Sequence, residues 1–168
     1  MNDLVKNKFD TTISVVTINK NNLEGLKATV ESIKLQKFQP DEHIIVDGTS
    51  MDRSLEFIAL EKRYNAIIHV LDKGQGIYEA MNIGLKECSS EYIIFLNSGD
   101  CFHDKESLKN LSLEALHNEI IYGNIAIKDK QSGLLIKRPA EKIWYHKKYQ
   151  HNLPYFPSCL IKTELLLK

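Results

Sequence analysis

Four short apolar runs rich in β-branched residues, separated by stretches of helical periodicity, constrain this chain most. They are ISVVTI at residues 13–18, HIIVD at 43–47, IIHVL at 67–71 and YIIFL at 92–96. Runs that do not alternate apolar with polar suit buried strands covered on both faces, as in parallel sheets. Between the first two, Leu23, Leu26, Val30 and Ile33 recur at three- and four-residue steps, with Asn21 and Glu24 spaced as a capping box. A second helix is expected over 51–62, capped by Ser50 and turning Leu55 and Ile58 inward; a third carries Ile77, Met81 and Leu85 on one face. Such alternation builds right-handed βαβ units and an open parallel sheet, with ligands bound where loops gather at the strands' carboxyl ends.

Beyond Asp100 the pattern changes. A helix is expected over 105–116, and IIYGNIAI and GLLIKR, separated by the turn-like 129–133, read as an antiparallel hairpin. A short helix over 141–149 and an extended stretch over 153–161 follow. A chain of 168 residues fits a single domain. The expected class is therefore α/β: a Rossmann-like, mostly parallel sheet flanked by helices, with a C-terminal β-hairpin region.

Composition removes several function classes. Lysine plus arginine equals aspartate plus glutamate, 22 against 22, so no long-range field draws the protein to nucleic acid. Cys88, Cys101 and Cys159 are widely spaced, without a Cys-x-x-Cys pair, and read as free thiols in a reducing compartment. The six histidines have no zinc-ligand spacing. Asp3, Lys6 and Lys8 interrupt the N-terminal residues, which lack the apolar core of a signal peptide or a membrane span; the expectation is a cytoplasmic protein.

Three polar turns fall at successive strand ends. Asp47, followed by Gly48, Thr49 and Ser50, can accept hydrogen bonds from a base or ribose, or can close an Asx-turn ahead of the next helix. Residues 72–76, Asp-Lys-Gly-Gln-Gly, open a helix and suit an anionic phosphate, although neither the third glycine of the dinucleotide fingerprint nor a P-loop is present; a plain connecting turn is the other reading. Asn97, Ser98, Gly99 and Asp100 bring two oxygen-bearing side chains that suit a hard cation, and are equally the residues of a structural turn. Placement at one edge of one sheet favours a shared crevice.

In order and spacing, ISVVTINKN, IIVDGTSMDRS, DKGQGIYEAMNIGL and YIIFLNSGD resemble the motifs of the inverting glycosyltransferases of family 2, over residues 12–102. The resemblance implies a GT-A fold and transfer of a sugar from a nucleoside diphosphate, usually a uridine one, to an acceptor hydroxyl. By position it assigns Thr17 and Asn19 to the nucleoside pocket, Asp47 to the uracil imide, and Lys73, Gly74 and Asn82 to the donor, with Met81 where the family often has arginine. Asn97 and Asp100 stand where the family holds Mg2+ or Mn2+, with Gly99 replacing its central aspartate. Asn-Ser-Gly-Asp is similar to a variant in a subgroup that builds bacterial surface polysaccharides.

The resemblance further implies a hexosyltransferase-type enzyme with a nucleotide-sugar donor, a saccharide or lipid-linked saccharide acceptor, no integral membrane segment, and peripheral membrane contact. It puts the general base in a segment beyond Lys168, so residues 103–168 read as an incomplete acceptor-side half of a truncated domain. Asp104 and Glu106 are nearby carboxylates, and His151 precedes a segment where relatives often carry a histidine near the acceptor side. Trp144 and Tyr145 read first as cover for the hairpin's apolar face and second as a stacking surface for a sugar ring. Two rivals stay open. One is a non-catalytic nucleotide-sugar-binding domain. The other is a nucleotidyltransferase, which should carry a glycine- and lysine-rich loop where this chain has Asn19, Lys20, Asn21 and Asn22.

Overall fold

The first apolar run forms β1 (Ile13–Asn19), and its alternate side chains feed two cores. Ile13 and Val15 pack with Ile33 and Leu108 on one face, while Val16 packs with Ala80, Leu85 and Val46 on the other. A strand covered on both faces needs apolar residues on both, which is why the run shows no alternation. The computed structural model describes residues 11–64, 67–71, 76–115, 117–129, 131–139 and 156–167. The expected helix over 141–149 lies outside them.

Chain order then runs α1 (Leu23–Lys34), β2 (Glu42–Asp47), α2 (Ser54–Tyr64), β3 (Ile67–Leu71), α3 (Ile77–Glu87), β4 (Tyr92–Phe95) and α4 (Ser107–Ala115). It continues with β5 (Ile120–Tyr122), β6 (Ile125–Lys128), β7 (Leu135–Arg138), a 3-10 turn (Phe156–Ser158), β8 (Cys159–Lys162) and α5 (Thr163–Leu166). Among the described residues the main sheet has the order β3-β2-β1-β4-β8-β5. β1 to β4 run parallel to one another, as expected from the βαβ pattern, and β8 pairs antiparallel with both β4 and β5.

Several local expectations shift. The cap of α1 is Asn22, whose Oδ1 accepts from the Gly25 N–H at 3.1 Å, whereas Asn21 has a left-handed backbone at φ 50°. α2 begins at Ser54, three residues after the expected start; Asp52 Oδ1 accepts from the Ser54 N–H and Ser50 is engaged elsewhere. β3 is the sheet's outer strand, so Ile68 and Leu71 are exposed rather than buried. IIYGNIAI is divided between two sheets: β5 joins the main one, the Gly123 N–H donates to the Ser158 carbonyl, and only β6 pairs with β7. The hairpin is real but shorter, and its β7 strand is exposed along its whole length.

Candidate functional site

Register sets the site. Asn19 at the end of β1 lies opposite Asp47 at the end of β2. Beyond β4 the chain stays beside β1, the Leu96 N–H donating to the Val16 carbonyl and the Ser98 N–H to the Ile18 carbonyl. Asn19, Asp47 and Ser98 are therefore brought to one carboxyl edge by backbone pairing alone.

Their side chains form one network. Asn19 Nδ2 donates to Asp47 Oδ2 at 2.7 Å and to Ser50 Oγ at 3.2 Å. Ser50 Oγ donates to Asp47 Oδ2 at 2.8 Å, the Ser50 N–H donates to Asp47 Oδ1 at 2.7 Å, and Ser98 Oγ donates to Asn19 Oδ1 at 2.7 Å. Asp47 is 0% and Asn19 1% exposed, so these bonds replace solvent entirely. Of the two sequence readings the Asx-turn is present, the Ser50 N–H on Asp47 Oδ1, and the same carboxylate also accepts across the strands from Asn19.

Two loops meet above Asp47. The Asn21 N–H donates to Ser50 Oγ at 2.8 Å, and the Met51 N–H donates to Asn21 Oδ1 at 2.7 Å. Asn21 and Thr49 both have left-handed backbones, at φ 50° and 54°. For a β-branched threonine such a conformation costs on the order of 1–3 kcal/mol, strain of the kind that gathers at binding sites.

The third turn is held from α1. Thr29 Oγ1 accepts from the Gly99 N–H at 2.9 Å and donates to the Asp100 carbonyl at 2.8 Å. Asn22 Nδ2 donates to the Ser98 carbonyl at 2.8 Å. Gly99 has φ 106°, a backbone that explains glycine where the family carries aspartate. Asp100 Oδ2 accepts from the Asn97 N–H at 3.2 Å, and burial raises the Asp100 carboxyl above its ordinary value, with the bonds from Asn97 opposing. Asn97 Oδ1 is buried and has no hydrogen-bond partner. An orphaned oxygen next to a half-buried carboxylate fits a hard cation that takes its remaining ligands from diphosphate and water. No group of three acidic, histidine or cysteine ligands exists among the described residues.

Other expected residues fall less centrally. Thr17 is 0% exposed, and its Oγ1 lies 3.0 Å from His43 Nε2, so it sits within the sheet's core beneath the edge. Lys73, Gly74, His151, Trp144 and Tyr145 lie outside the described residues. Gly76, at φ 122°, opens α3 without a side-chain cap, leaving N–H groups that suit an anion, and Asn82 is exposed on the same helix. Asp104 Oδ1 accepts from the Glu106 N–H and from Ser107 Oγ at the start of α4, and Glu106 pairs with Lys37 and Lys109. Both carboxylates thus have structural partners. Sequence reading took Ser98 only as a member of the turn after β4 and missed Asn22 and Thr29 as parts of the site; an oxygen-bearing residue on the inner face of the next helix was the available signal.

The family profile described as "Glycosyl transferase family 2" matches residues 14–165. An uncharacterized glycosyltransferase of Mycobacterium tuberculosis is 37% identical over 92 residues, covering 54% of this chain and 35% of its own. A PGL/p-HBAD biosynthesis glycosyltransferase of Mycobacterium bovis is 28% identical over 109 residues, 61% of this chain and 42% of its own. The chain thus spans less than half the length of these curated relatives. Among solved structures, S. aureus TarS 1–349 in complex with UDP-GlcNAc superposes with a TM-score of 0.73 at 18% identity, over 93% of this chain and 46% of that one. A Pyrobaculum calidifontis mannosyltransferase in complex with GDP-Man and Mn2+ gives 0.59 at 16% identity, over 71% and 38%. The mostly parallel sheet and the helices flanking it are those of the GT-A fold, and the chain belongs to glycosyl transferase family 2.

Proposed function

We propose that this chain is the donor-binding half of a glycosyltransferase that moves a sugar from a nucleoside diphosphate, uridine being the expected base, to an acceptor hydroxyl with inversion. The observation that carries the reading is the shared edge: Asn19, Asp47, Ser50 and Ser98 are joined in one buried network beside the turn of Asn97 and Asp100. Asp47 Oδ1 accepts from the Ser50 N–H and, as a carboxylate oxygen, has capacity for a second donor such as a base imide. Asp47 is 0% exposed, so a base reaches it only if the groups around it move.

Asn97 Oδ1 and Asp100 would hold a divalent cation, which when bound neutralises charge on the departing diphosphate. Lys73 and Gly74 are assigned to the approach of the diphosphate, and the uncapped start of α3 adds partial positive charge there. Asp104 and Glu106 are engaged in a helix cap and ion pairs, so neither is assigned as the base for the acceptor hydroxyl. TarS bound to UDP-GlcNAc and the relative named for PGL/p-HBAD biosynthesis support a nucleotide-sugar donor and a surface-glycoconjugate or polysaccharide product. Among the described residues no helix is long and apolar enough to cross a membrane; the acceptor is proposed to be a saccharide or lipid-linked saccharide met in the cytoplasm.

Isothermal titration with UDP and Mn2+ tests the donor site: the expected result is saturable binding that Asp47→Ala weakens at least tenfold, on the order of 1.4 kcal/mol. An absence of binding by the unsubstituted chain, or no response to Asp47→Ala, overturns the assignment. The structural employment of Asp104 and Glu106 favours one second reading, a domain that binds donor without turning it over. Release of labelled sugar from a radiolabelled UDP-sugar by this chain excludes that reading.

A further inference from the structure

We propose that Ser98 is a positioning residue: through Asn19 it sets the Asp47 carboxylate, so that the nucleoside end of the site and the turn carrying Asp100 order as one unit. This rests on the donor-site reading above and goes beyond it by assigning to Ser98, there a member of the hydrogen-bonded network, the setting of the Asp47 carboxylate.

The chemistry of the three groups fixes the direction of the chain. A carboxylate only accepts, so the amide NH2 of Asn19 must face Asp47 Oδ2, 2.7 Å away. That turns Asn19 Oδ1 towards Ser98, and the Ser98 hydroxyl must donate across 2.7 Å. Both amide protons of Asn19 are then engaged, one on Asp47 and one on Ser50. Ser50 Oγ in turn accepts from Asn19 and from the Asn21 N–H and donates to Asp47, so every side-chain donor between Ser98 and Asp47 is used. With Asn19 1% and Asp47 0% exposed, the bond between them is closed to water, while the bond from Ser98 is part-buried.

Ser98 is itself tied on both sides. Its N–H donates to the Ile18 carbonyl at 3.0 Å, and its carbonyl accepts from Asn22 Nδ2 at 2.8 Å. Its neighbours Asn97 and Asp100 close the turn through the Asp100 N–H to the Asn97 carbonyl, at 2.8 Å. A change in that turn therefore reaches the Asp47 carboxylate through two side-chain hydrogen bonds. Ordering one end lowers the entropy lost in ordering the other, so the two ends of a nucleoside diphosphate bind cooperatively.

The test measures uridine by competition against UDP with Mn2+, and UDP with Mn2+ directly, for the unsubstituted chain, Ser98→Ala, Ser98→Thr, Asp47→Ala and the Ser98→Ala/Asp47→Ala pair. Loss of the Ser98 hydroxyl is expected to weaken uridine itself about tenfold, the scale of one lost hydrogen bond in a charged network. Ser98→Thr, which keeps the hydroxyl, is expected to restore binding, and Ser98→Ala is expected to add nothing once Asp47 is alanine. Ser98→Cys replaces Ser98→Ala if the latter does not fold. Additive effects in the pair overturn the coupling, as does a Ser98→Ala chain that melts lower yet binds uridine unchanged. If the unsubstituted chain binds no UDP, the donor-site reading fails as well; if it binds and only additivity is seen, the donor site stands and the coupling alone is lost.

Discussion

Gly84 on α3 lies against Val16 on β1 so closely that a methyl group added to the glycine would come within 2.5 Å of Val16 Cγ1 and 3.2 Å of Val46 Cγ2. The absent side chain lets α3 settle onto β1 and β2, and the helix start at Gly76 is placed over the sheet edge as a result. Gly84→Ala is expected to lower stability by about 1–2 kcal/mol, overpacking outweighing the roughly 1 kcal/mol that alanine contributes to a helix. Urea unfolding checks this, with a lower midpoint at an unchanged slope; an alanine variant more stable than the parent contradicts the close packing.

His43 predicts acid sensitivity. Burial, and secondarily the Lys34 charge, push its imidazole down to about 4, and Thr17 Oγ1 sits 3.0 Å from its Nε2. The folded state thus holds the ring neutral where the unfolded chain would protonate it at about 6.5. The resulting stability is complete above pH 6.5 and is lost as pH falls towards 4, by roughly 3 kcal/mol in total. His69 is shifted in the same direction, chiefly by burial. Urea midpoints between pH 7 and 4 should fall steeply for the parent and less steeply for His43→Gln; parallel curves would remove His43 as the source.

Gly99→Asp looks like a repair of the metal motif but is expected to weaken it. The nearest atom to an added Cβ is Asn22 Nδ2 at 3.8 Å, so space is available, whereas φ 106° is not a conformation that L side chains readily adopt. The turn must shift, at a cost of about 1–3 kcal/mol, and Asn97 and Asp100 move with it. Titration of UDP in the presence of Mn2+ should show weaker binding for Gly99→Asp and a smaller gain from Mn2+ for Asp100→Asn. Tighter binding by the aspartate variant would contradict this account.

Gln36 joins α1 to the start of α4. Its Nε2 donates to the Asp104 carbonyl at 2.7 Å, and its Oε1 accepts from the buried Leu108 N–H at 3.0 Å. Gln36→Leu leaves that N–H without a partner and is expected to lose about 1–3 kcal/mol. Hydrogen exchange should speed up at Leu108 while amides in β1 keep their protection to the extent that global stability allows.

How much of this was legible follows from the range of each interaction. Apolar runs at 13–18, 43–47 and 92–96 announced β1, β2 and β4 because burial on both faces is written into consecutive residues, and the run at 67–71 announced β3 although that outer strand is partly exposed. The carboxyl-edge placement of Asn19, Asp47 and Asn97 followed, since turn residues directly after parallel strands share an edge. The capping box at Asn21 failed by one residue because Asn21 is drawn into a left-handed bend by bonds to Ser50 and Met51, some 30 positions away. Nothing local in IIYGNIAI told β5 to leave the hairpin and pair with β8.

The sequence by itself determined the strand and helix periods, the parallel run of the first four strands and the resemblance to the family, all of which depend on short-range patterns, while the order β3-β2-β1-β4 came from the fold. Tertiary structure decided that β8 runs antiparallel between β4 and β5, that Thr17 turns to His43 in the core, and that Ser98 reaches Asp47 through Asn19. Those outcomes depend on which distant groups are brought within about 3 Å and sealed from water, a geometry that only the folded chain supplies.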